Sequence, residues 1–195
     1  MKKYTLKENL TIEVNGITLY KIEYCFNKFL SGGYIESEDN LSQEGPCIVL
    51  DDAKVYGQAK VYGQAIISDQ AEVYGNSRIY DQAEVYGQTK IYGQAEVYGQ
   101  ARIYGHAKIF DEVEVYNEAK VYGNARISGE AEIYGQARIY GQAQVYGQSR
   151  IYDQARIYSK ARIYGEAKIY GHARIFGQAE VSGQAQFFNN IHVFS

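Results

Sequence analysis

A six-residue pattern repeats without insertion or deletion from Ala53 to the end of the chain, and it limits what the chain can fold into. Each copy reads small residue, charged residue, Val or Ile, Tyr, Gly and Gln, as in the Ala-Lys-Val-Tyr-Gly-Gln segment that starts at Ala53. Residues 47–52 fit the same frame as a degenerate first copy. So short a period is typical of solenoids, in which a repeat buries its apolar side only by stacking on its neighbours.

The alternation within one copy predicts the shape of a coil. Four residues alternate as in a strand and two form a corner, so the small and aliphatic side chains point inward and the charged and Tyr side chains outward. Gly at the first corner position permits backbone angles closed to other residues. Three copies per turn predict a triangular prism in which residue i stacks on residue i+18, roughly 4.8 Å away. The repeat region then makes about eight 18-residue coils of an all-β, single-stranded parallel β-helix.

Residues 1–46 lack the repeat and predict a small β-rich N-terminal cap. Asn15-Gly16 stands between two alternating segments, which is a strong signal for a β-hairpin. Gly32-Gly33 marks a further turn, and residues 37–46 form a polar connection. A cap has a mechanical role, because the end of a β-coil stack exposes an open strand edge. We therefore divide the chain into a cap, residues 1–46, and a β-helix, residues 47–195.

Charge and cysteine content narrow the function classes. The net charge is −3, so the chain as a whole has no attraction to nucleic acid or anionic membranes. The sequence shows neither a signal peptide nor a membrane span, which favours the cytoplasm. Cys25 and Cys47 have no metal or redox spacing and are interpreted as small buried residues in a reducing compartment. We predict no metal site and no cofactor.

The residue pattern of the repeat, in which Ile or Val is followed four residues later by a small residue, resembles the hexapeptide repeat of left-handed parallel β-helices. The Val-Tyr-Gly-Asn-Ala-Arg segment at residues 121–126 is similar to YdcK-like proteins in particular, and so is the segment from Gly32 to Ser42. The resemblance implies a left-handed coil. It also implies a fold shared with trimeric acyltransferases, so an acetyl-CoA-dependent acyltransferase is the alternative function, although fold alone does not settle function.

Stacking residue i on i+18 sorts the outward side chains onto three faces. Face A comprises the copies that start at residues 47, 65, 83 and every 18 thereafter; face B starts at 53 and face C at 59. On face A, five consecutive cations run beside aromatic residues: Arg102, Lys120, Arg138, Arg156 and Arg174, with Tyr104, Tyr122, Tyr140 and Tyr158. Stacked like charges repel, so this basic face predicts an acidic partner, with a protein favoured over nucleic acid or another polyanion. The simpler alternative is that the stacked outward side chains only make the prism rigid and soluble.

An acidic patch lies where face B meets face C. It comprises Glu96, Asp111, Glu112, Glu114, Glu130 and Glu132, and Ser128 removes an aromatic ring beside it. A cation site is one interpretation; a solvated acidic corner is the simpler one, since no calcium-loop spacing is present.

Two further groups concern catalysis and assembly. The resemblance to acyltransferases implies a His as general base, and the chain has His106, His172 and His192. His106 and His172 stand where the repeat has Gln and are most simply Gln substitutes, while His192 lies in the last coil. Phe176, Phe188 and Phe194 replace Tyr near the C-terminal end, where clustered apolar rings predict contact with a second copy.

Together these features predict a cytoplasmic, non-catalytic binding or scaffold protein whose rigid faces meet a macromolecule. A phage-type inhibitor of a host or defence protein is one concrete version. This prediction rests on the expected shape of the β-helix and on the resemblance to YdcK-like proteins.

Overall fold

The computed structural model describes residues 2–194, and its N-terminal part is a hairpin that leads into the coils. Strand β1 (Tyr4–Val14) pairs antiparallel with β2 (Ile17–Tyr24), and the register shifts between Lys7 and Thr11. Asn15 and Gly16 close the hairpin with φ of 52° and 79°, the two positive values of a type I′ turn. Strand β3 (Tyr34–Ile35) and a 3₁₀ helix (Glu38–Asn40) follow. The predicted hairpin is confirmed.

The remaining strands are short and occur once per six-residue copy. They are β4 (Ile48–Val49), β5 (Lys54–Val55), β6 (Lys60–Val61), β7 (Ile66–Ile67), β8 (Glu72–Val73), β9 (Arg78–Ile79), β10 (Glu84–Val85), β11 (Lys90–Ile91), β12 (Glu96–Val97), β13 (Arg102–Ile103), β14 (Lys108–Ile109), β15 (Glu114–Val115), β16 (Lys120–Val121), β17 (Arg126–Ile127), β18 (Glu132–Ile133), β19 (Arg138–Ile139), β20 (Gln144–Val145), β21 (Arg150–Ile151), β22 (Arg156–Ile157), β23 (Arg162–Ile163), β24 (Lys168–Ile169), β25 (Arg174–Phe176), β26 (Glu180–Val181), β27 (Gln186–Phe187) and β28 (His192–Phe194).

Three parallel sheets form the faces of the prism, which confirms an all-β parallel β-helix of stacked 18-residue coils. Face A is the nine-stranded sheet from β4 to β28, face C is the eight-stranded sheet from β6 to β27, and face B runs from β5 to β26. The face B sheet also takes in β3, β2 and β1, which makes 11 strands. The cap is therefore continuous with the solenoid, because the hairpin extends one of its sheets.

The coil path begins before the repeat can be recognised in the sequence. Tyr34 pairs in parallel with Lys54, and Leu41 forms a parallel bridge with Val61. Both spacings are 20 residues instead of 18 (54 − 34 and 61 − 41). This partial coil brings the solenoid to about nine turns, one more than predicted. The domain boundary at residue 47 stays a prediction.

The regular strands are shorter than the four residues predicted, although the alternation is confirmed. Only two or three residues of each copy have strand geometry. Hydrogen bonds to the next coil nevertheless continue through the corner, as from Lys90 N to Ala107 O (3.0 Å), Tyr92 N to Ile109 O (3.0 Å) and Gln94 N to Asp111 O (2.7 Å). Each coil is thus bonded to the next along its whole perimeter.

The core is one continuous stripe of small and aliphatic side chains. From Val49 to Val181, every inward Val or Ile is at most 3 % exposed. In the cap, the buried Tyr24 hydroxyl donates to Val49 O (2.9 Å) and accepts from Val49 N (2.7 Å). Cys47 is buried as predicted, but Cys25 is exposed. The prediction for Cys25 is wrong because strand alternation buries Tyr24 and turns the next residue outward.

One buried hydroxyl in the small-residue stripe lacks a partner. Ser77 donates to Tyr74 O at 2.8 Å, whereas Thr89 Oγ1 has no partner within the described chain. We expect Thr89→Val to stabilise the fold by about 1 kcal/mol, because the substitution keeps the volume and removes an unsatisfied polar group. Val113, which is fully buried in the same slot, shows that valine fits there.

Chemical denaturation of Thr89→Val beside Ser77→Ala checks this expectation. The Ser77 variant removes a satisfied hydroxyl and should lose about 1 kcal/mol. Destabilisation of both variants to the same extent would show that the Thr89 hydroxyl is satisfied in solution.

Candidate functional site

The outward side chains form continuous columns with a narrow range of spacings. Along face A, the ring centroids from Tyr86 to Tyr158 are 4.8–5.0 Å apart, and their planes lie within 3° of parallel. Burial among neighbouring rings raises the pKa of Tyr122 and Tyr140. A tyrosine phenol is protonated at neutral pH in any case, and the raised pKa keeps these two as hydrogen-bond donors at higher pH than an ordinary tyrosine. The columns hold the outward groups of a face at fixed positions.

The structure brings the five predicted cations of face A into one column. Arg102 pairs in register with Lys120, Lys120 with Arg138, Arg138 with Arg156, and Arg156 with Arg174. Arg102 is neutralised by the preceding coil, because its Nε lies 3.2 Å from Glu84 Oε2. The four cations that follow have no carboxylate within 4.0 Å in the described part of the chain.

On faces B and C, several glutamates form ion pairs with cations of the neighbouring coils. Glu72 lies between Lys54 (3.5 Å) and Lys90 (2.9 Å) on face B. On face C, Glu96 lies 3.3 Å from Arg78, and Glu132 lies 3.0 Å from Arg150. Of the three faces, face A has the longest run of stacked cations without a carboxylate partner in the described chain, from Lys120 to Arg174.

The members of the predicted acidic patch mostly have partners within the chain. In addition to the ion pairs of Glu96 and Glu132, Glu114 Oε2 accepts from the Tyr98 hydroxyl at 3.0 Å. Glu112 accepts from Gln94 at 3.3 Å, and Glu130 accepts from Gln148 at 2.8 Å. Within residues 2–194, no group of three or more His, Cys, Asp or Glu side chains is arranged to hold a metal ion.

Asp111 has a role that the sequence reasoning missed. It occupies the Gly corner position with φ 64°, and its Oδ2 accepts from Gly129 N, one coil further on, at 3.1 Å. Asp69 and Gly87 N make the same contact at 2.8 Å. The signal was present in the sequence, because a corner Asp is followed 18 residues later by Gly in four of five cases: Asp69–Gly87, Asp81–Gly99, Asp111–Gly129 and Asp153–Gly171, but not Asp51–Asp69.

The three histidines lie apart and lack the geometry of an oriented base. His106 lines a groove of about 510 Å³ on face B, beside Lys90 and Lys108 and near the hairpin residue Ile12. His172 lies at the corner between faces C and A, and His192 pairs in register with Arg174. Among the described residues, no histidine side chain makes a hydrogen bond to a carboxylate.

The distal end of the prism exposes apolar rings. Phe194 is 71 % exposed and stacks on Phe176 with centroids 5.5 Å apart. Phe188 and Ile191 are also exposed, and the inward Phe187 is only partly buried. The structure thus places the three predicted phenylalanines near one end, with Phe176 the most covered of them.

Comparison with known proteins does not extend these observations. No protein-family model matches the chain, and no curated protein is similar to it. The likeness to YdcK-like proteins therefore stays a prediction, while the hexapeptide-repeat β-helix is shown by the fold itself. Between residues 2 and 194, no helix has the length and apolar composition needed to cross a bilayer.

Proposed function

We propose that the protein is a non-catalytic β-helical binding or scaffold protein that holds an acidic macromolecule against face A. The observation that carries the proposal is the uninterrupted column of unneutralised cations from Lys120 to Arg174. Two unit charges one coil apart repel by about 1 kcal/mol even in bulk water. An anionic partner that fills the column turns this repulsion into attraction.

The rigidity of the columns supports a binding role. The position of each cation is set by main-chain hydrogen bonds between coils, as from Arg138 N to Ala155 O at 2.9 Å. A preorganised surface loses little conformational entropy when a partner binds. Arginine and tyrosine form neighbouring columns on this face, and both residue types are enriched in protein interfaces.

An acidic protein surface is favoured over nucleic acid as the partner. The net charge is −3, and Glu112, Glu130 and Asp111 remain exposed on another edge of the prism. These groups repel a long polyanion, whose affinity depends on neutralising many phosphates. A phage-type inhibitor that covers the surface of a host or defence protein is the concrete form we favour. We place it in the cytoplasm, whose reducing conditions suit the free thiols of Cys25 and Cys47.

Fluorescence anisotropy with a labelled polyglutamate peptide and a labelled oligothymidine tests the partner class. We expect the peptide to bind more tightly, with an affinity that falls as salt is added. Tighter binding of the oligothymidine would favour nucleic acid instead, and no binding of either probe would remove face A as an anion-binding surface.

Titration calorimetry with acetyl-CoA tests the acyltransferase alternative. We expect no saturable heat, because His106 has no carboxylate hydrogen bond to orient it and the groove beside it is open. A saturable isotherm that is lost in His106→Ala would overturn the non-catalytic proposal.

We also propose that the exposed rings at the distal end pack against a second copy of the chain. Phe194, Phe188 and Ile191 form an exposed apolar surface, of the kind that marks contact sites in soluble proteins. A two-fold contact is the simplest closed arrangement, since the same patch then serves both copies.

Light scattering of the wild type and Phe194→Asp checks the contact. We expect a dimeric mass for the wild type and a monomeric mass for the variant, because a carboxylate buried in an apolar contact is costly. Phe29→Asp, at a fully exposed ring in the cap, is the matched control and should stay dimeric. An unchanged monomeric mass in all three would end this proposal.

A further inference from the structure

One ring is missing from the aromatic column of face B, at Ser128. The neighbours of Ser128 in this column are Phe110 and Tyr146. The main chain is continuous through the gap, because Phe110 N donates to Ile127 O at 3.1 Å and Ser128 N donates to Val145 O at 2.9 Å. The gap is thus a vacancy of one side chain in an otherwise regular column.

The vacancy has the dimensions of an aromatic ring. On one side Phe110 stacks on Tyr92 with centroids 5.0 Å apart, and on the other side Tyr146 stacks on Tyr164 at 5.1 Å; both pairs of planes lie within 4° of parallel. Phe110 and Tyr146 therefore face each other across two coil spacings, roughly 10 Å. A ring inserted midway would lie about 5 Å from each, which is ordinary stacking geometry.

Exposure confirms that a ring face is available there. Tyr146 is 37 % exposed, close to the 36 % of Tyr62, which is the first ring of its column on face C. Tyr146 thus resembles a column end although it lies in the middle of the prism. The other two serines in ring positions differ, since Ser68 lies between Leu50 and Tyr86 and Ser182 has a described ring on one side only, Tyr164.

The corner beside the vacancy is acidic, whereas Lys108 and Arg126 lie on the strands of face B next to it. Glu112 and Glu130 are exposed at the adjacent corner, and their hydrogen bonds come from the neutral amides of Gln94 and Gln148. Neither carboxylate forms an ion pair within the described chain, so this corner repels phosphate and attracts Lys or Arg. The exposed Arg126, two residues before Ser128, can lie across an inserted ring.

We propose that the slot at Ser128 binds an aromatic side chain of a partner protein, within a segment that carries Lys or Arg beside that residue. The slot is separate from the basic column on face A. The slot gives the protein a second contact point, which is specific for an aromatic ring and prefers a positively charged segment.

The peptide acetyl-Lys-Trp-Lys-amide is a suitable probe, because the chain has no Trp and the peptide Trp can be excited selectively over the 21 Tyr of the chain. We expect saturable binding to the wild type and a loss of affinity of about tenfold or more in Ser128→Tyr, whose own ring fills the slot. Ser68→Tyr is the matched control and should bind like the wild type. Thermal unfolding should show that Ser128→Tyr is at least as stable as the wild type, so that loss of binding cannot come from unfolding.

Two further comparisons test the charge preference. The peptide acetyl-Glu-Trp-Glu-amide should bind about tenfold more weakly, and the double variant Glu112→Gln and Glu130→Gln should remove most of that difference. Equal binding of acetyl-Lys-Trp-Lys-amide to wild type and Ser128→Tyr, or no binding to either, would overturn the proposal. Tighter, Ser128-dependent binding of adenosine monophosphate would assign the slot to a nucleobase and would overturn the protein partner.

Discussion

A valine in place of Gly105 is expected to destabilise the solenoid by about 3 kcal/mol. Gly105 has φ +77°, in the left-handed region, where a β-branched residue is a clear outlier. A Cβ at this position would also lie 3.0 Å from Gly123 N and 3.2 Å from Gly123 O, in the backbone of the next coil. Neither atom can move without stretching the hydrogen bonds that join the two coils. Because repeats in a solenoid are stabilised mainly by their neighbours, the loss should also loosen the adjacent coils.

Aspartate at the same position should be far less damaging, with a loss of about 1 kcal/mol or less. Asp69 occupies the same corner column with φ 59°, and its carboxylate accepts from Gly87 N at 2.8 Å. The variant Gly105→Asp can make the same bond to Gly123 N, which offsets part of the backbone strain. Urea denaturation of both variants measures the contrast. Equal losses for Val and Asp would show that the corner carboxylates contribute nothing.

The sequence predicts the registers of the prism because its period leaves no alternative. A slip by one residue would turn every inward Val or Ile to the outside, so the hydrophobic pattern fixes the pairing. The pairing of Arg138 with Arg156 therefore follows from their separation of one 18-residue coil. The hairpin at Asn15-Gly16 is equally accessible to sequence reasoning, because its turn chemistry is local.

The details that the sequence does not predict depend on side-chain torsions or on residue spacings that differ from the 18-residue coil. Arg102 belongs to the predicted cation column but is neutralised by Glu84, a pairing that the choice of rotamer decides. The partial coil at Tyr34 was hidden because its spacing to Lys54 is 20 residues, two more than the repeat allows. The width of the vacancy at Ser128 depends on the positions of the rings on either side, which the repeat pattern alone does not specify.

Reversing two cations of face A should abolish partner binding without harming the fold. We expect the double variant Arg138→Glu and Arg156→Glu to bind a polyglutamate peptide at least about 100-fold more weakly, because like charges facing each other across an interface cost several kcal/mol. Anisotropy at low salt measures the loss. The matched control reverses Lys60 and Lys168 on face C, which also lack a carboxylate within 4.0 Å in the described chain. It changes the net charge equally and should bind within about threefold of the wild type.

Stability should move in the opposite direction from binding in the double variant. The introduced carboxylates would lie one coil from Lys120 and Arg174, in the register that already joins Arg102 to Glu84. Two of the three repulsive contacts would become ion pairs, each contributing up to about 1 kcal/mol at an exposed site, while repulsion between positions 138 and 156 would remain. A more stable protein that no longer binds would mean that the column is maintained for a partner at a cost to the fold. If the variant is instead less stable, or binds as well as the wild type, the cations of face A serve the prism and the functional surface lies elsewhere.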